Sequence, residues 1–302
     1  MTGESTEKST GALGDRRRPA AVTLLKLGGS LLTDKTGVEA VRPGVLARLA
    51  AEIAQGAGAA GATGAGGAAG TAGATGAAGA LVVGHGSGSF GHVAARRYGL
   101  AGGLREPAQL PGVSITQERA AALHRQVTAA LAAAGLLPFS LAPSSSVVAE
   151  GGRPAGIDPE PLLLALGLGL LPVVYGDVVL DRLQGAAICS TERLFELLAA
   201  ALPERGVGIA RVIWLGETDG VYDASGRTLP RLAPDDLAGL GEALGGAAGS
   251  DVTGGMRHRV ETALALARRG IPSLIANGTT PGLLAAALRG EPVPGTAVAA
   301  HA

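Results

Sequence analysis

The residues best suited to chemistry lie in Gly84-His85-Gly86-Ser87-Gly88-Ser89-Phe90-Gly91-His92. An apolar run at residues 80–83 feeds into this segment, and residues 93–98 can start a helix. A strand, a glycine-rich loop and a helix N-terminus in series make an anion site, because backbone N–H groups are left free and the helix dipole favours negative charge. Glycine permits positive φ and the close approach of a phosphate, both of which a side chain resists. His92 stands at the end of the loop, placed to hydrogen-bond a bound oxyanion. Taken alone, the segment fits a tight strand-to-helix turn equally well, since glycine-rich fingerprints are weak in isolation.

Other segments carry the same chemistry. Lys26 lies near the end of a β-rich run at residues 22–27 that closes in Gly28-Gly29-Ser30, and Lys35 follows in Thr33-Asp34-Lys35. A lysine there reaches a phosphate as a mobile point charge. Lysines beside turns are usually just solvated, but Lys26 sits inside an otherwise apolar strand, which is costly without a partner. Gly176-Asp177 ends the apolar strand at residues 171–175, where open α/β sheets bind ligands. Ser250-Asp251-Val252-Thr253-Gly254-Gly255-Met256 precedes a helix running to Gly270, with Arg257, His258 and Arg259 in its first turns. That is a second set of hydroxyl and glycine donors at a helix start. Ser190-Thr191-Glu192 caps a helix that runs to Leu202, just before Pro203.

The elements that must position these residues alternate. Strands are expected at residues 22–27, 80–83, 137–141, 171–175, 210–215 and 271–276, and a short one after Gly295-Thr296. Helices are expected at 43–55, 112–134, 161–168 and 281–288, besides those already named, with a weaker one at 232–244. Leu46, Leu49 and Ile53 share one face of the first of these helices. Residues 178–181 and 186–189 read as a hairpin around Gln184-Gly185. His124 falls on a polar position of the long helix and is expected at the surface, while the Ser-rich turn at 143–146 could contact a substrate, though such turns form readily for local backbone reasons. This rhythm implies an α/β fold, a three-layer sandwich with a mainly parallel central sheet. Residues 56–79, almost entirely Ala, Gly and Thr, read as a flexible surface insertion rather than a domain boundary. Residues 1–20 read as a disordered tail without the apolar core of a secretory signal, leaving 21–302 as a single domain.

Composition excludes several functions. With 25 basic against 25 acidic side chains and no basic block in the folded part, a nucleic-acid footprint is not expected. Three Phe, three Tyr and one Trp leave few platforms for stacking bases. Cys189 is the only cysteine, which excludes a disulfide framework and a thiolate metal cluster and fits a reducing, cytoplasmic setting. The longest apolar stretch, residues 161–174, is too short to span a bilayer and contains Gly167, Gly169 and Pro172, so no membrane partner is expected.

Several phosphate-type loops on one α/β chain, with lysines and without a P-loop signature, resemble the amino acid kinase superfamily and, within it, the isopentenyl phosphate kinases. The resembling blocks are Leu25-Lys26-Leu27-Gly28-Gly29-Ser30 with Asp34-Lys35, the 85–92 segment, Tyr175-Gly176-Asp177-Val178-Val179, Thr218-Asp219-Gly220-Val221 and Asp251-Val252-Thr253-Gly254-Gly255-Met256. They fall in the family's order across residues 23–298, apart from the Ala/Gly insertion. The resemblance implies phosphorylation of isopentenyl phosphate by ATP with Mg²⁺, in a homodimer. It implies that His92 holds the acceptor's phosphate and that Lys26 and Lys35 surround the transferred group. Gly28, Gly29, Gly86 and Gly88 then form the backbone cradle, with Ser87, Gly91, Gly176 and Asp177 on the substrate side. Thr218, Asp219, Tyr222, Gly254, Gly255, Met256 and Arg259 fall on the nucleotide side, within residues 190–302.

These residue types suit phosphoryl transfer, which asks the protein mainly for alignment and for stabilisation of charge. Lysines, backbone N–H groups and a metal supply that, and an already ionised acceptor needs no strong base. His92 is therefore assigned to binding and orientation, with its charge state open. The sequence departs from the family at Ser190-Thr191-Glu192-Arg193, where Gly-Asp-Asp usually follows the serine, at Arg259, usually lysine, and at Glu217, usually aspartate. Glu192 and Arg259 are either a compensated pair or the mark of an altered function. A kinase for fosfomycin or another small phosphate or phosphonate, and a catalytically weakened nucleotide-binding sensor, are the alternatives.

Overall fold

Strand β1 (Ala21–Leu27) lies at the centre of the structure because every residue from Val22 to Leu27 is apolar or partnered and both of its faces are covered. The computed structural model describes residues 18–34, 37, 39–58, 75–76, 79–236 and 255–300. Residues 1–17 of the expected tail, most of the Ala/Gly stretch, Lys35, residues 237–244 of the expected weaker helix and residues 250–254 lie outside the described residues.

On one side of β1 run β3 (Gly79–His85), β7 (Leu171–Tyr175) and β4 (Pro138–Ser140), all parallel. On the other run β10 (Gly208–Gly216) and β12 (Ser273–Asn277), also parallel, then β13 (Thr296–Val298) and β11 (Arg231–Leu232). Among the described residues the antiparallel joins of this sheet are β12 with β13 and a two-residue strand, β2 (Thr75–Gly76), with β3. The expected mainly parallel sheet is thus present, and the pleat of β1 decides what each face carries. Leu25 and Leu27 point to the layer formed by α2 (Pro43–Gly58) and α4 (Leu110–Ala133), with Leu46, Leu49, Leu123 and Val127. Val22 and Leu24 point to the opposite layer, where α7 (Thr191–Glu204) and α8 (Gly255–Ala267) bring Leu194, Phe195, Val260 and Leu264. Lys26 follows Leu24 by two residues and therefore faces α7.

A second, four-stranded sheet was not expected. Its order is β6 (Arg153–Ile157), β5 (Val147–Glu150), β8 (Asp177–Asp181) and β9 (Gly185–Cys189). The β8–β9 hairpin is the one expected around Gln184-Gly185, whereas the β5–β6 hairpin turns on Gly151 and Gly152, at φ 60 and 82. Two central residues at positive φ are what tight hairpins require. Asp181 holds both hairpin turns, accepting hydrogen bonds from the N–H groups of Gly151, Gly152, Leu183 and Gln184. Burial would raise its carboxyl, but those four donors hold it below the usual carboxylate range.

Other expectations shift. Helix α3 spans Gly88–Arg97 rather than starting near Val93, because buried Phe90 anchors its first turn in the core. The glycine-rich loop shrinks to Gly86-Ser87, and His92 stands in the second turn of a helix. His124 is buried rather than at the surface. Leu232 belongs to β11, not to a helix, and Pro203 is inside the last turn of α7.

Glu52 on α2 ties the C-terminal part of the chain to the front. Its carboxylate accepts from Gly282 N and Leu284 N at the start of α9 (Leu283–Arg289), both at 3.0 Å, and from Arg48 at 2.6 Å. Glu52→Ala is expected to cost roughly 2–4 kcal/mol, because it orphans two backbone donors in a buried setting. Urea unfolding of the variant beside the wild type measures this.

Candidate active site

The carboxyl ends of β1, β3 and β10 and the starts of α1 (Gly29–Leu32), α3, α7 and α8 open on one cleft of about 790 Å³. Its floor is two glycine turns in contact. A Cβ on Gly29 would stand 2.5 Å from Gly88 N, and one on Gly86 would stand 2.9 Å from Gly29 N. No side chain fits there, so the two backbones touch and their amides crowd together. The N–H groups of Gly29, Ser30, Ser87 and Gly88 have no hydrogen-bond partner among the described residues. Ser89 Oγ and Thr218 Oγ1, in the cleft wall, are likewise buried without a partner. Buried donors left over in this way fit an anionic, oxygen-rich ligand.

Lys26 rises from β1 into this floor and forms a buried ion pair with Glu192 in the first turn of α7. Burial alone would raise the Glu192 carboxyl. The Lys26 charge and hydrogen bond, and then the Arg259 charge, outweigh it and hold Glu192 at about 2. Arg259 is itself buried. Its guanidinium spreads over the backbone of two glycines, since a Cβ on Gly216 would lie 2.7 Å from Nη1 and one on Gly28 3.7 Å from Nη2. The two departures from the family pattern thus sit together: two cations bracket one carboxylate, which leaves a net positive floor beneath the amides.

His92 and Arg96, one turn apart on α3, line the opposite wall. The His92 ring is open to the cleft yet surrounded by enough protein to be desolvated. Burial first, then the charges of Lys26 and Arg96, lower its pKa below the ordinary histidine value, and Glu192 only partly opposes them. A neutral imidazole is therefore presented to the cleft at neutral pH.

The structure brings together most of the residues expected from the sequence. Lys26, Gly29, Gly86, Ser87, Gly88 and His92 line the cleft, as do Gly176, Glu192, Thr218, Gly255, Met256 and Arg259. Others have different positions. Gly28 lies under Arg259, with its N–H donating to Leu215 O at 2.9 Å. Gly91 packs α3 against Ser87, where a Cβ would come within 2.7 Å. Asp177 does not line the cleft: it accepts from Val178 N at 2.8 Å and Ser144 N at 3.3 Å, and burial raises its carboxyl despite those bonds. Asp219 is held at the rim by Asn277 Nδ2 at 2.8 Å, and its N–H donates to the Tyr222 hydroxyl at 3.2 Å. Lys35 and Gly254 lie outside the described residues. Sequence reasoning missed Arg96, Ser30, the Ser190–His258 contact at 3.2 Å and the Arg42–Glu217 pair at 2.6 Å. Arg96 had a usable signal, its i+4 spacing from His92. The two pairs join residues 68 and 175 positions apart and had none.

An α/β sandwich whose cleft joins glycine turns, a buried lysine and helix N-termini is a phosphotransferase-type architecture. The profile of the amino acid kinase family matches residues 21–277, and the chain belongs to that family. Within it, the chain is similar over most of its length to isopentenyl phosphate kinases. The one from Methanothermobacter thermautotrophicus is 33% identical, over 91% of this chain and 98% of its own. The one from Haloferax volcanii is 30% identical, over 90% and 100%. A solved isopentenyl phosphate kinase superposes with a TM-score of 0.72 at 29% identity, covering 91% of this chain and 99% of that one.

Proposed function

We propose that this chain transfers the terminal phosphoryl group of ATP to the phosphate of isopentenyl phosphate, giving isopentenyl diphosphate and ADP. The observation that carries this reading is the near-complete coverage of isopentenyl phosphate kinases by a chain whose cleft sets Lys26 and His92 around one glycine cradle. An acceptor phosphate oxygen attacks the terminal phosphorus while the bond to the ADP oxygen breaks, so no proton has to be removed. The amides of Ser87 and Gly88 and the His92 imidazole hold the acceptor. Lys26, fixed by Glu192, and Arg259 counter the charge that spreads over the migrating group. Lys35 is assigned beside that group, and Thr218, Gly255 and Met256 to the nucleotide. We assign residues 21–302 to one kinase domain, with residues 190–302 as its nucleotide side.

Mg²⁺ fits this cleft as a passenger on the nucleotide's phosphates. The carboxylates lining it, Glu192 and Glu217, are each engaged in an ion pair. Among the described residues no cluster of His, Cys, Asp or Glu is suited to hold a metal ion. Mg²⁺ commonly binds through substrate phosphates rather than a dedicated protein cage.

The test is ADP release with Mg²⁺-ATP against isopentenyl phosphate, dimethylallyl phosphate and fosfomycin. Turnover on isopentenyl phosphate is expected, and His92→Ala is expected to lower its kcat/KM roughly 10²-fold, mostly through KM. Turnover on fosfomycin alone, or ATP binding without turnover on any acceptor, overturns the reading.

A cytoplasmic homodimer completes the proposal. Among the described residues no helix is long and apolar enough to cross a membrane. Val148 and Leu180 are partners across β5 and β8, and with Leu183 they expose an apolar face that a second copy would cover. Light scattering is expected to give twice the chain mass of 29.5 kDa.

A further inference from the structure

Beneath the glycine cradle lies a polar chain that the catalytic reading does not use. His85 ends β3 with no solvent exposure, and His124 on α4 is 5% exposed. His85 Nε2 lies 3.0 Å from His124 Nδ1, and His124 Nε2 lies 2.8 Å from the Ser140 hydroxyl. At the other end, His85 Nδ1 lies 3.1 Å from the carbonyl oxygen of Gly86. Both rings stack with Tyr175, with centroids 5.6 Å from His85 and 4.2 Å from His124. The rings also stack on each other, with centroids 5.3 Å apart, so each packs against two aromatic neighbours.

The carbonyl end fixes the direction of every bond. A carbonyl only accepts, so His85 Nδ1 carries a proton, and in the neutral ring its Nε2 must accept. His124 Nδ1 therefore donates, its Nε2 accepts, and Ser140 donates its hydroxyl proton. Burial keeps both rings neutral, with His85 lowered to about 4 and His124 to about 3. Three donors thus point one way, from the exposed Ser140 to the cradle.

The cradle end matters because a peptide is planar and trans, so its N–H points opposite to its C=O. Holding the Gly86 carbonyl toward His85 turns the Ser87 N–H away from the histidines, out into the cleft that Ser87 lines. Gly86 N, bonded to Leu27 O at 3.0 Å, pins the preceding peptide. The carbonyl of His85 is held by Thr191 Oγ1 at 2.7 Å and Gly176 N at 2.9 Å. Glycine at 86 and 88 leaves this turn soft, and the histidine bond stiffens the peptide that carries the Ser87 N–H. We infer that Ser140, His124 and His85 form a positioning chain that fixes the Gly86–Ser87 peptide and so aims the Ser87 N–H at the acceptor's phosphate. This assignment rests on the kinase reading above for the identity of the acceptor.

Two measurements test it. The first needs no substrate: in the ¹⁵N-histidine NMR spectrum of the full chain at pH 7.5, His85 and His124 are both expected as Nδ1–H tautomers. Either ring found as Nε2–H breaks the chain of donors and overturns the proposal. The second compares His124→Asn, whose side-chain amide can still donate to His85, with His124→Leu, which cannot. His124→Leu is expected to lower kcat/KM for the acceptor roughly 10–100-fold, the scale set by a misplaced binding group, with KM for ATP within about twofold. His124→Asn is expected to restore most of that loss. Equal losses in the two variants, at matched thermal stability, would reduce the pair to packing and overturn the proposal, as would an unaltered His124→Leu. Wild-type turnover in the same assay reports separately on the kinase reading.

Discussion

Replacing Lys26 with methionine is expected to lower kcat by roughly 10²–10³-fold, the usual cost of removing one preorganised group that meets developing charge. Methionine keeps the length of the side chain in the apolar face of β1, so the loss reads as charge rather than shape. The substitution also strips Glu192 of its nearest counter-charge in a buried site, which destabilises by about 3–5 kcal/mol when one partner of such a pair is removed. Arg259, whose charge also acts on that carboxyl, makes the lower end of the range the expected one. The double variant Lys26→Met with Glu192→Gln separates the two effects. It removes both buried charges together, so most of the stability should return while turnover does not. ADP release and urea unfolding on the three proteins decide the matter. Turnover of Lys26→Met within about threefold of wild type would remove Lys26 from the reaction. A double variant no more stable than the single would mean that the carboxylate was never stabilised by the lysine.

The same pair shows what the sequence could and could not reveal. Lys26 was legible because one charge in an otherwise apolar strand demands a partner, and the strand's alternation fixed which face it took. The identity of that partner was not legible: Glu192 is 166 residues away and reaches Lys26 only because α7 packs on that face of β1. The βα rhythm gave the parallel sheet, since periodicity and glycine turns are local signals. Local signals also misled. Asp177 at a strand end looked like a ligand contact, but its carboxylate is used up on Val178 N and Ser144 N. The start of α3 was placed too late because glycines argue against helix, and the tertiary anchor Phe90 overrode them. His124 looked solvated because helical periodicity cannot show that β3 and β7 bring His85 and Tyr175 onto that face of α4.

That buried pair makes the protein acid-sensitive well above the range of carboxylate titration. Burial lowers His85 to about 4 against the opposing effect of its Gly86 bond, and lowers His124 to about 3, where His85 and Arg125 add to the effect. In the unfolded chain both return to about 6.5. Below that value the unfolded state binds protons that the folded state refuses, so stability falls as pH falls. By linkage, each histidine costs roughly 1.4 kcal/mol at pH 5.5 relative to pH 8, and the two together roughly 3 kcal/mol. That is a large share of a typical 5–15 kcal/mol domain stability. Glu192 acts in a separate window with the opposite origin. Its lowered pKa stabilises the fold fully above about 4.5 and is lost only as pH falls from there toward about 2. Of the other groups around the rings, Tyr175, pushed to about 12 by burial and then by Asp177, stays on the alkaline side of this window. The Asp177 carboxyl, raised by burial, binds its proton more readily when folded and offsets part of the loss on the acid side. Urea unfolding at pH 8 and 5.5 should therefore show the loss in the wild type, and about half of it in His124→Asn, which keeps one buried histidine. A stability independent of pH across that interval, or a loss undiminished in His124→Asn, would mean that His124 takes up a proton while folded, and a protonated His85 Nε2 could no longer accept the bond from His124 Nδ1 that orients its ring.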